Sequence, residues 1–184
     1  MEAIASICDY ALPARHDLKS NGVEHAQAVD RFERKLIYAK QYVFLEEEPE
    51  TLPQDNSAKK VAKLYRLAGL IYLYRACKGL SSTSPSVKTA VEAGFSIMAG
   101  LTICDRAFPL VILGCEARCD GDRLMVLDLL RRTRECRKIG NFGMAQQFIE
   151  ASWAQDDLSP DEALNYVQKF NAIMSMNKYL PCFT

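Results

Sequence analysis

Two histidines and one tryptophan are all that the 184 residues hold of those types, and neither sign of charge prevails: Lys plus Arg and Asp plus Glu each count 23. A chain with no net charge has no long-range field to draw it onto nucleic acid or an anionic membrane. No stretch approaches the roughly 20 uninterrupted apolar residues of a membrane span. The N-terminus lacks the basic start, apolar run and small-residue cleavage site of a signal peptide. Seven cysteines are present, at Cys8, Cys77, Cys104, Cys115, Cys119, Cys136 and Cys182. Their number is odd and no C-x-x-C occurs, which argues against a disulfide framework and for free thiols in a reducing compartment. Glycine-rich phosphate loops, G-x-S-x-G elbows and H-E-x-x-H sites are missing too, so no metal and no cofactor is expected. The expectation is an intracellular chain, cytoplasmic or nuclear, that does not enter a membrane.

Helical periodicity is what the sequence does have. Val29, Phe32, Leu36, Ala39 and Val43 recur at steps of three and four, which predicts an amphipathic helix over 22–45. A helix over 57–78 carries apolar residues round more than half its circumference, among them Val61, Leu64, Leu67 and Ile71. Another spans 86–104, a short one opens at Pro109, and a fifth runs from about Asp122 to Lys138. Acidic residues lead that last helix and basic ones end it, the order that the helix dipole favours. Two more helices, over 142–153 and from Ser159 to Met176, complete the chain. The predicted fold is all-α, a single-domain irregular bundle of seven or eight helices over 1–184. Residues 1–21 form an N-terminal arm in this reading, and 46–57 an acidic flexible loop. The 61–78 and 87–104 helices are expected at the centre.

Chemistry is written faintly. His16 and His25 are the neutral-pH bases available, though a lone histidine is more often incidental than catalytic. Cys115 and Cys119, four apart, would share one helix face and supply half a metal site, or simply two buried thiols. The run from Arg131 to Lys138 would meet phosphates, or merely close a helix where cations are stabilising. Tyr65 and Tyr72, seven apart on one face, would line a pocket with Phe95, Gly69 and Gly94, or fill a core. Glu116 lies in an otherwise apolar stretch and needs a cation, for which Arg123 across the Asp120–Gly121 turn is the nearest candidate.

Three stretches carry a family resemblance. Leu64 to Arg75 resembles the tyrosine- and arginine-bearing helix of the fungal-specific transcription factor domain. Phe108 to Ala117, followed by Asp122–Arg123, resembles that family's most recognisable block. Gly140-Asn141-Phe142 with Ala145, Phe148, Ile149, Glu150 and Trp153 is similar to its helix before the C-terminus. The order and spacing agree over about residues 25–175. Phe108 stands where the family usually has tryptophan, and the six-cysteine two-zinc DNA-binding module has no counterpart here. A complete regulator is therefore not expected; the initiating Met1 and the tail to Thr184 lean towards a stand-alone protein over a fragment.

The resemblance implies a regulatory, effector-sensing module that binds a hydrophobic small molecule or a protein partner, with homodimer formation possible and no specific DNA binding. In this reading Glu116 and Arg123 are structural. The alternative is a scaffold recruited as a cofactor-free cyclase, isomerase or dehydratase acting on an apolar secondary metabolite. Tyr72, His25, His16 and Asp105 would then be the catalytic candidates.

Overall fold

A computed structural model describes residues 22–38, 57–136, 141–158 and 166–176. Among them lie seven α-helices and one π-helical turn, and no strand. The helices are α1 (Gly22–Ile37), α2 (Ser57–Tyr72), α3 (Pro85–Ala99), α4 (Ala107–Cys115), α5 (Asp120–Cys136), α6 (Asn141–Leu158) and α7 (Tyr166–Met176). The expected N-terminal arm and all but the last residue of the acidic loop lie outside the described residues, as does His16.

The π turn, Leu73–Cys77, continues α2 directly. Lys78 N–H donates to the carbonyl of Leu73, five residues back, so one extra residue is accommodated in the last turn. Gly79 then adopts φ +62°, a left-handed conformation that costs glycine little, and Leu80 N–H returns to the Tyr74 carbonyl. Pro85 opens α3 at its first turn, where a missing N–H is no loss. At the other end of α3, Lys60 Nζ of α2 donates to the Gly100 carbonyl at 3.0 Å.

The centre differs from expectation. It is the short α4 in which every residue is buried, from Ala107 to Cys115. Helix α2 packs on one side of it and α6 on another. The approaches of α3 and α6 to it each depend on a missing side chain: a Cβ on Gly94 of α3 would lie 2.5 Å from Leu113 Cδ2, and one on Gly114 would lie 2.8 Å from Ile149 Cδ1 of α6. The longer α2 and α3 each keep a wet face, so they surround the core and do not form its middle. A smaller apolar cluster, with Val29, Leu36, Leu70, Leu73, Tyr74 and Val87, fastens α1 to the π turn and α3. Lys78 adds an ion pair to Glu33 of α1 at 2.6 Å.

Candidate functional site

Burying nine successive apolar residues leaves the end of α4 with a difficulty. The chain continues into Glu116, whose side chain is only 2% exposed. A carboxylate taken from water needs compensation. Arg75 supplies it, with Nε donating to Glu116 Oε1 at 2.9 Å. The same guanidinium donates from Nη1 to the Leu80 carbonyl at 2.8 Å and lies 4.9 Å above the Tyr166 ring. One side chain thus ties the π turn, the loop after it, the end of α4 and the start of α7. Burial pushes the Glu116 carboxyl above its ordinary value, and the attraction of Arg75 and Arg118 offsets this in part.

The polar ground extends from there. Asp156 of α6 takes Lys169 of α7 at 2.7 Å and Arg118 at 3.1 Å. The Cys115 thiol, against Ser152, is pushed up to about 12 by burial. The hydroxyl of Tyr166, a residue 5% exposed, has no hydrogen-bond partner among the described residues. Trp153 Nε1 donates to the Gly114 carbonyl at 2.7 Å and closes the other side of the α4 terminus.

The tyrosine stripe is real, and it is packed. Tyr65 stacks on Phe108 with centroids 5.5 Å apart, and Tyr72 meets Phe108, Tyr166 and Phe170 edge-on at 6.4, 6.3 and 6.5 Å. Both tyrosines remain half-buried. Phe95 and Gly94 are buried on α3, and the space at Gly94 is taken by Leu113. Gly69 is buried on α2. The proposed ligand-lining residues therefore meet one another's neighbours within the core. A separate hollow on the outer face of α1 is lined by Gln27, Asp30, Arg31, Arg34 and Lys35, none of which is among them.

The catalytic candidates sit on different elements. Tyr72 ends α2, His25 is half-buried near the start of α1, and Asp105 is exposed ahead of α4 beside Arg106. Arg123 does not serve Glu116. Its fork is held by Asp157 at 2.7 and 2.8 Å, and it lies 5.3 Å over the Trp153 ring. The first turn of α5 runs beside the last turn of α6, so the nearest carboxylate in space comes from 34 residues away. Cys115 and Cys119 do not share a helix: Cys115 ends α4 and is buried, while Cys119 precedes α5 and is exposed. Among the described residues no group of three His, Cys, Asp or Glu side chains could hold a metal.

Within the basic run, Arg131 is engaged by Asp128 and Glu135, and Arg132 donates to the Leu101 and Thr102 carbonyls. Arg137 and Lys138 lie outside the described residues. Among the described residues no helix is long and apolar enough to cross a membrane.

Sequence reasoning placed Glu116 and missed the partners that matter: Arg75, Asp156, Tyr166 and Lys169. Arg75 was within reach, since it follows Tyr72 by three residues and shares its side of the helix. The others carry no local signal.

The sequence that builds these helices has relatives. The family model described as "Fungal specific transcription factor domain" matches residues 1–177. A curated relative, "Transcription factor iacI" of Pestalotiopsis fici, is 33% identical over 130 residues, which is 70% of this chain and 34% of the relative. The chain thus spans about a third of the length of the curated relative it matches. No solved structure matches. With the family model covering nearly all of the sequence and the all-helical architecture in agreement, the chain belongs to the fungal-specific transcription factor domain family.

Proposed function

We propose that this chain is the regulatory helical module of a fungal transcriptional regulator, working in the nucleus or cytoplasm and responding to a hydrophobic small molecule or a protein partner. The observation that carries the reading is the Arg75–Glu116 junction. It joins the π turn to the end of the central helix and touches α7 through Tyr166, so a change at any of these elements is felt by the others. A π turn placed mid-chain at such a junction is a frequent companion of function. The match of the family model, and the name of the relative as a transcription factor, support a regulatory role. The internal engagement of Arg131 and Arg132 supports the absence of sequence-specific DNA contact by this chain.

The test is a reporter assay in fungal cells, with the chain fused to a heterologous DNA-binding domain. The fusion is expected to change reporter output severalfold relative to that domain alone, and Arg75→Met is expected to abolish the change. Output equal to that of the DNA-binding domain alone, with the fusion expressed and folded, overturns the reading.

A further inference from the structure

Helix α7 presents a stripe of Tyr166, Lys169, Phe170 and Ile173, at the i, i+3, i+4, i+7 spacing of one helical face, and all four are buried. Gln168, Asn171 and Ser175 on the other side are exposed. The seat beneath is aromatic at one end and charged at the other. Phe148 of α6 meets Phe170 at 4.9 Å, and Tyr72 meets both Tyr166 and Phe170. Asp156 holds Lys169, which is 9% exposed at its side chain.

Two features make this a contact that can be given up. The helix packs mainly on α6 and the π turn, while α4 is enclosed by α2, α5 and α6 without it. Its docked state also buries a tyrosine hydroxyl that finds no partner among the described residues, together with a lysine taken largely out of water. Elements with such attachments open at lower free energy than the core they cover.

We propose that α7 is a detachable strap, and that the groove it leaves is a docking site for an amphipathic helix of a protein partner carrying the same pattern: aromatic, lysine at the third following position, aromatic at the fourth, aliphatic at the seventh. Charge selects this occupant. When Lys169 leaves, Glu116 retains Arg75, but the ion pair left to Asp156 among the described residues is with Arg118, whose side chain is 47% exposed. The groove then offers, at its charged end, a carboxylate with one cation missing, next to the aromatic seat made by Tyr72 and Phe148. A helix that brings apolar rings alone leaves Asp156 undercompensated, and one that brings a carboxylate is repelled. Laying an apolar helical face with fixed anchors into a groove is a common mode of peptide recognition. The inference rests on the protein-partner form of the function proposed above.

The experiment is a fluorescence-anisotropy titration of the full chain with a labelled peptide of the α7 sequence, residues 164–178. In the chain carrying Lys169→Ala and Phe170→Ala, which weaken its own strap, the peptide is expected to bind about tenfold tighter than in the wild-type chain. A peptide carrying Lys169→Glu is expected to lose about tenfold, and a further Asp156→Lys in the chain to reverse that preference. Equal binding by both chains, or by neither, with circular dichroism showing the helices intact, overturns the proposal. So does size-exclusion showing that the variant chain pairs with itself and that the peptide dissolves the pair, because the occupant is then a second copy. Should the variants not fold, hydrogen exchange on the wild-type chain decides. The α7 amides are expected to exchange about tenfold or more ahead of those of α4; a single rate for both overturns the strap. The reporter assay above does not require α7 to move, so its failure and this one are distinct.

Discussion

Arg75 and Glu116 stand 41 residues apart in sequence and 2.9 Å apart in space, and between them they connect the turn that ends the second helix to the helix at the centre of the bundle. Buried pairs of this kind contribute little net stability compared with apolar residues of the same shape, yet breaking one is costly because a charge is left behind.

Replacing Arg75 by Met is accordingly expected to destabilise the fold by about 3 kcal/mol at neutral pH. The loss carries a sign with pH. Glu116 already titrates above its ordinary 4.5 because burial outweighs Arg75 and Arg118. Without Arg75 the folded state holds the Glu116 proton still more tightly than the unfolded chain does. Stability is therefore regained as pH falls from the raised folded value towards the unfolded one. Glu116→Gln keeps an acceptor for Arg75 Nε and has no proton to gain, so its smaller loss, about 1 kcal/mol, should not recover on acidification through this group. Urea unfolding of the three proteins at pH 7.5 and 5.5 checks both expectations.

The close approach of α6 to α4 should tolerate little. In Gly114→Ala the new methyl meets Ile149 at 2.8, 3.0 and 3.2 Å, and Ile149 is fully buried with no free side to turn to. Overpacking of this kind costs about 1–3 kcal/mol, more than the gain of about 0.5–1 kcal/mol from alanine in a helix. A lower thermal midpoint for Gly114→Ala than for Gly143→Ala, where nothing lies within 4 Å, is the expected result.

Core truncation gives a third expectation. Ile71 is fully buried and Leu67 nearly so, so either change to Ala should cost about 2–5 kcal/mol. Leu124→Ala, at a position 66% exposed, should fall within about 0.5 kcal/mol of wild type. Chemical denaturation resolves the two classes.

The thiols should divide by burial. Cys104 is pushed up to about 11 and Cys115 to about 12, in both cases chiefly by desolvation. At pH 8 their reactive thiolate fraction is about one in a thousand or less, so alkylation by iodoacetamide should require denaturant. Cys119 and Cys136 are exposed and should be modified in the folded chain. Mass spectrometry of digested protein after a timed reaction reads the pattern directly.

The sequence alone determined which segments are helical, though not their ends, since the helix expected over 86–104 stops at Ala99; helical periodicity, prolines and turn glycines act within a few residues of one another. The amphipathic pattern through Val29 and Leu36, the proline at the start of α3 and the left-handed Gly79 at the end of the π turn are all local facts. It also marked Glu116 as a buried charge in need of a partner, since nine apolar neighbours leave little doubt of its surroundings. Tertiary structure alone decided who that partner is. Arg123 is nearer along the chain, yet the first turn of α5 lies against α6 and gives Arg123 to Asp157, while the π turn carries Arg75 to Glu116. The same holds for Tyr166, Lys169 and Asp156, whose meeting depends on where α7 comes to rest. Charges in a low-dielectric interior pair with whatever packing brings within hydrogen-bond reach, and the spacing of residues along the chain does not encode that distance.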